Sequence, residues 1–162
     1  MNHRRSDHKQ HHGAQVTQHI GEGTINIPQT WYNASINVFT AEQPGKAGPS
    51  ISVNRDLLRP GLVLADYVSD QIIKLRAKLK DFRIVQERQM EVNGRPAWLY
   101  EFTWESEQGL VMHQILLTVN YDARLINLVA THGAVMEGPL KDHMMAMLLS
   151  FRFAQVGRSE AP

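Results

Sequence analysis

The chain has 162 residues, 43% of them hydrophobic and 20% charged, which is the make-up of one globular domain able to bury a core unaided. It has no cysteine, which excludes disulfide scaffolds, thiolate zinc sites, iron–sulfur clusters and cysteine nucleophiles. The formal charge is only +1, and most of the positive excess sits in Arg4, Arg5 and Lys9, so the near-neutral remainder is a poor match for nucleic acid or anionic lipid.

Residues 1–20 are polar and hold His3, His8, His11, His12 and His19. They contain neither the apolar stretch of a signal peptide nor a lipoprotein cysteine, and no run in the chain approaches the ~18 apolar residues that span a bilayer, so a cytoplasmic protein is expected. Such composition cannot bury enough surface to order itself. The expected organisation is a disordered His-rich tail over 1–22, a single domain over 23–154 and a frayed C-terminus over 155–162.

From Gly23 the pattern turns to short alternating runs. Thr24–Ile27, Ser35–Thr40 and Ser50–Asn54 read as strands bounded by Pro, Gly and Asn, with 41–49 a loop on composition. Over 62–80 the spacing becomes helical: Leu64, Val68, Ile72, Leu75 and Leu79 recur at three and four, and basic residues crowd the last turns, where they complement the helix dipole. Four strands follow at Phe82–Val92, Pro96–Glu105, Leu110–Val119 and Arg124–Thr131. Asn93-Gly94 between the first two is a strong hairpin signal, and the other connections are as short, which predicts an antiparallel meander. A second helix is predicted over 139–149, with Phe151–Phe153 a possible closing strand. The order predicts an α+β fold built on one large antiparallel sheet.

Chemistry is sparse. Glu101 and Glu105, with His113 and His132, form the one plausible acid–base set, since alternation places Glu101, Thr103 and Glu105 on one strand face; polar residues on a half-solvated sheet explain them equally. His113, His132 and His143 lack metal-ligand spacing, so no metal is expected. No phosphate loop or nucleophile elbow is present, and no cofactor or catalytic residue is predicted.

The meander itself carries the informative feature. Trp98, Tyr100, Phe102 and Trp104 occupy one face of their strand, which must pack on a helix. The next two strands are largely apolar on both sides, whereas a sheet with one wet face should alternate apolar with polar. Either each helix covers one face, giving two cores, or one face is partly open and awaits an apolar partner. Leu110, Met112 and Gln114 together with Ile36 and Val38 suit an adaptable binding face, because Met accommodates varied shapes and Gln satisfies stray polar groups.

The stretches IPQTWYNASINVF, ISVNRD, ADYVSDQI, VNGRPAWLYEFTW and GLVMHQILL, in this order and spacing, resemble the DcrB-like domain of Eag-type chaperones of type VI secretion effectors, over roughly residues 23–153. The resemblance implies a PsbP/DcrB-like fold, a curved antiparallel sheet with packed helices, and a cytoplasmic homodimer without catalytic activity. Its members bind the N-terminal transmembrane helices around the prePAAR segment of an effector that carries a PAAR domain, and keep them soluble until loading on the secretion spike. The cradle positions it implies are apolar Ile36, Val38, Leu79 and Leu110, and polar Gln71 and Gln114. Three readings compete: a periplasmic lipoprotein, which lacks its cysteine here; a PsbP-like adaptor for a soluble partner; and an enzyme using Glu101, Glu105 and His113.

Overall fold

The computed structural model describes residues 14–43 and 45–154. These fall into two compact units divided between Ala34 and Ser35.

In the first unit, β1 (Gln15–His19) pairs antiparallel with β2 (Thr24–Pro28). The Ile20 N–H donates to the Gly23 carbonyl and closes the connecting turn. β1 thus lies within the stretch 1–22 that the composition assigned to a disordered tail. Val16 and Thr17 have strand propensity, and a tight Gly-Glu-Gly turn returns the chain onto Ile25 and Ile27, so pairing overrides the polar composition. The His-rich stretch before residue 14 and the segment 155–162 lie outside the described residues.

The second unit is a six-stranded antiparallel sheet in the order β3-β4-β8-β7-β6-β5. Its strands are β3 (Asn37–Thr40), β4 (Ser50–Leu57), β5 (Lys80–Val92), β6 (Arg95–Glu105), β7 (Val111–Tyr121) and β8 (Arg124–His132). β5 to β8 form the expected meander. Asn93 and Gly94 both take positive φ, at 52° and 70°, the backbone that a tight two-residue hairpin demands and that Asn and Gly adopt most readily. β4 adds to the far edge of β8, so the connection from β4 to β5 has to cross the sheet.

That crossing is α1 (Leu64–Lys78), whose Asp66 carboxylate accepts a bond from the Val63 N–H at its start. Leu64, Val68 and Ile72 pack on Tyr100, Phe102, Leu116 and Leu125. On the opposite face Met144 and Leu148 of α2 (Gly138–Leu149), with Met136, pack on Leu99, Ile115 and Leu117. Each helix therefore has its own core, and the aromatic row of β6 lies under α1 as its spacing predicts. The segment 151–153 is not a strand. Phe151 and Phe153 join the α2-side core, Phe153 stacks on Tyr121, and the Asn93 amide donates to the Phe151 carbonyl, so side chains rather than a ladder hold it.

Candidate functional site

Antiparallel register assigns each strand residue to a face. Val38, Ser52, Val129, Leu116 and Tyr100 lie opposite one another in successive strands, on the α1 face. Phe39, Ile51, Ala130, Ile115 and Glu101 form the adjacent row, on the α2 face. α1 packs on β5 and β6. Tyr67 of α1 also reaches Asp56 of β4, but at β3 the α1 face is open, and Val38 is 60% exposed there.

A cavity of about 280 Å³ lies between α1 and this open part of the sheet. Leu75, Phe102, Leu116 and Val129 supply its apolar wall, while Gln71 from the helix and Gln114 from β7 both reach it. Gln114 is held on both sides: its Oε1 accepts from the Trp104 indole N–H at 2.9 Å and its Nε2 donates to the Thr131 hydroxyl at 3.0 Å. An amide has two N–H groups and two lone pairs, so half its capacity remains. Gln71 makes no hydrogen bond among the described residues.

The other predicted positions surround this cavity unequally. Met112 is half-buried on the same face, beside Trp104. Ile36 and Leu110 lie just before β3 and β7 and are 63% and 55% exposed. The Arg55 guanidinium donates to the Ser35 carbonyl and the Asn37 side-chain oxygen, and so ties down the chain on either side of Ile36. Leu79 follows α1 and is half-buried against the helix core, so it offers less surface than its place in the predicted cradle suggests.

Sequence reasoning missed the polar end of the cavity. Tyr67 donates to Asp56 at 2.9 Å and accepts from Asn127 at 3.2 Å; Asn127 also donates to the Asn54 oxygen at 3.1 Å and accepts from the buried Thr118 hydroxyl at 2.7 Å. Burial pushes the Tyr67 hydroxyl up to about 12, with Asp56 adding to the shift and the Asn127 contact opposing it. Burial and the Glu87 carboxylate likewise push Tyr100 up to about 12. The available signal was Asn127, a polar side chain between Leu125 and Val129 on one strand face.

Within the acid–base set Glu105 and His132 are half-buried, but Glu101 and His113 are not on a half-solvated surface, which corrects the expectation for those two. Glu101 and His113 are fully buried beneath α2. The His113 Nδ1 accepts the Met136 N–H at 2.8 Å, so its Nε2 carries the proton and donates to Glu101 at 2.9 Å. Lys141 of α2 reaches the same Glu101 oxygen at 2.7 Å. Glu105 is held apart from them in an ion pair with Lys80. Glu101, His113 and Lys141 form a polar clamp between the sheet and α2.

The profile of the DcrB family matches residues 22–150. The chain belongs to the DcrB family. This DcrB-family chain is 28% identical, over 100 residues, to the protein named Effector EagT6 of Pseudomonas aeruginosa, an alignment covering 60% of the chain and 69% of that relative. Its fold matches the crystal structure of the P. aeruginosa protein PA94, of unknown function, with a TM-score of 0.71 at 21% identity, covering 88% of this chain and 99% of that one. The solution structure of PsbP from Synechocystis sp. PCC 6803 aligns with a TM-score of 0.41 at 9% identity over 78% and 80% of the two chains, a likeness too slight to argue from.

Proposed function

We propose that this chain is a chaperone for an effector of a type VI secretion system, and that it binds and shields the effector's N-terminal transmembrane helices, the prePAAR region, before loading on the secretion spike. It acts in the cytoplasm as a homodimer and has no catalytic activity. One observation carries the reading: two neutral amides, Gln71 and Gln114, converge on an apolar-walled cavity beside a sheet face that α1 leaves open. Membership of the DcrB family and the similarity to Effector EagT6 support it.

The physics suits such a client. An apolar helix of ~20 residues, long enough to cross a bilayer, does not stay dissolved in water. Covering several hundred Å² of it at about 25 cal/mol per Å² yields on the order of 10 kcal/mol before association costs. A Gln on the wall replaces the interhelical hydrogen bonds of membrane bundles, each worth about 0.6–2 kcal/mol. One open face contacts only one side of a helix, so a second protomer is needed to cover the other. Glu101 and His113 are buried beneath α2 and bonded to each other, which supports a structural role for them and a binding role for the chain.

Co-expression with the apolar N-terminal segment encoded by the neighbouring gene, followed by detergent-free size exclusion, tests the proposal. A soluble complex eluting with two copies of this chain is expected. An insoluble segment beside well-folded free protein would defeat the reading and favour an adaptor for a soluble partner.

A further inference from the structure

A second cavity, of about 480 Å³, lies at the end of the sheet that carries the β5–β6 and β7–β8 turns, lined by Asn93, Arg95, Tyr121, Arg152, Phe153 and Ala154. It belongs to the α2 face. Arg95 and Tyr121 continue the alternate residues that run through Leu99 and Leu117 on that side, and the Tyr121 ring stacks on Phe153 of the α2-side core. Both guanidiniums are held by only part of their donor set. Arg95 donates to Asp122 at 2.9 Å and lies over the Tyr121 ring, 5.2 Å from its centre. Arg152 donates through one terminal nitrogen to the Leu149 and Phe151 carbonyls, at 3.1 and 2.8 Å. A guanidinium has five N–H groups and no acceptor. The Arg152 Nε and second terminal nitrogen, most of the Arg95 N–H groups and the Tyr121 hydroxyl therefore have no partner among the described residues.

Charge and polarity here are lopsided in a way the near-neutral chain as a whole is not. Two guanidiniums against the single Asp122 carboxylate leave a positive excess, and the exposed Arg124, opposite Tyr121 in register, adds to it just outside the cavity. Asn93 supplies the opposite function: its amide nitrogen is turned to the Phe151 carbonyl at 2.9 Å, which only accepts, so its oxygen is left to accept. We propose that this cavity binds the side-chain carboxylate of an Asp or Glu in an extended segment of a partner protein. The paired N–H groups of a guanidinium match the two oxygens of a carboxylate. The Asn93 oxygen takes a peptide N–H, a donor that phosphate and the nucleic-acid backbone lack. The site is on the face opposite the proposed client groove, so it stands without that reading and leaves both faces usable at once.

The test titrates the full-length chain into a short fluorescent peptide of alternating glutamate and serine, acetylated and amidated at its ends, and follows anisotropy. Saturable binding that weakens as salt is raised is expected. Arg152→Gln should weaken it about tenfold, as expected for the loss of a charge-assisted contact. Arg95→Gln serves if Arg152→Gln does not fold. Arg83→Gln, which removes an exposed charge at the far end of β5, should leave binding unchanged, and a peptide with glutamine in place of glutamate should not bind. The proposal is overturned if the acidic peptide does not bind, if the glutamine peptide binds as well, or if the folded cavity variant keeps wild-type affinity. An equal loss in Arg83→Gln would also overturn it, because the attraction would then be to overall charge. Inorganic phosphate, or a neutral peptide with a free C-terminus, that competes as strongly as the acidic peptide would overturn the side-chain carboxylate as the occupant.

Discussion

On the α2 face of the sheet, Glu101 takes bonds from His113 and Lys141, and His113 engages both ring nitrogens. On the α1 face, Asn54, Gln71 and Gln114 line an open cavity and keep N–H groups without a partner among the described residues. The two faces are built from alternate residues of the same strands, and both are apolar through the meander. Hydrophobicity therefore does not separate them; the accessibility of their polar side chains does. The polar cluster of the α2 face is sealed under a helix, even with Glu101 Oε2 and His132 Nδ1 buried without a partner among the described residues, whereas the amides of the α1 face are oriented toward an open cavity and are prepared for something else.

The sharpest way to break this comparison is to put a charge on the open face. Ile36→Asp or Leu110→Asp should reduce client co-purification to background, while stability stays within about 0.5 kcal/mol of wild type because both side chains are already exposed. Loss of folding in chemical denaturation would instead make them core residues. The matching change on the closed face is Glu101→Ala, which strands Lys141 and the His113 N–H and should cost about 3 kcal/mol in urea unfolding. Client retention should survive it at temperatures where the variant is folded. A smaller effect is expected for Tyr67→Phe: about 1 kcal/mol for the lost hydroxyl contacts, with weaker client binding, because the Asn127–Asn54 amides lose the group that orients them.

The smallest effect is a titration. Tyr67 and Tyr100, both on the α1 side, are held up to about 12 in the fold and ionise near 10 when unfolded. The folded chain therefore keeps protons that the unfolded chain has lost, so their contribution is complete below about 10 and falls as pH rises toward about 12. Phenolate absorbance followed alongside unfolding should show two late-titrating tyrosines released together with the fold. Ordinary titration of all tyrosines in the folded chain would contradict the burial assigned to them.

Much of this architecture was legible in the sequence. Alternation in β5 to β8, the Asn93-Gly94 turn and the three-and-four spacing of Leu64, Val68 and Ile72 are local signals, and each produced the expected element. β1 was not legible, because its five residues are mostly polar and gain their strand only by pairing with β2. Of the site, Gln114 was legible in the pattern of its strand and Gln71 entered through resemblance, and their meeting depends on where α1 lies across the sheet. The Asn127 contacts with Asn54 and Tyr67 span 73 and 60 residues of chain, and Lys141 meets Glu101 only once α2 folds back, so no local pattern announced them.

Val38 and Phe39 permit the most direct test. They are neighbours on β3, are 60% and 62% exposed, and point to opposite faces of the sheet. The absence of cysteine makes single-cysteine variants clean reporters. Maleimide labelling of Val38→Cys and Phe39→Cys, with and without co-expressed client, compares the two faces at one place. The client should slow labelling at Val38→Cys strongly and leave Phe39→Cys nearly unchanged. Equal protection of both, or protection of Phe39→Cys alone, would contradict the assignment of the client to the α1 face.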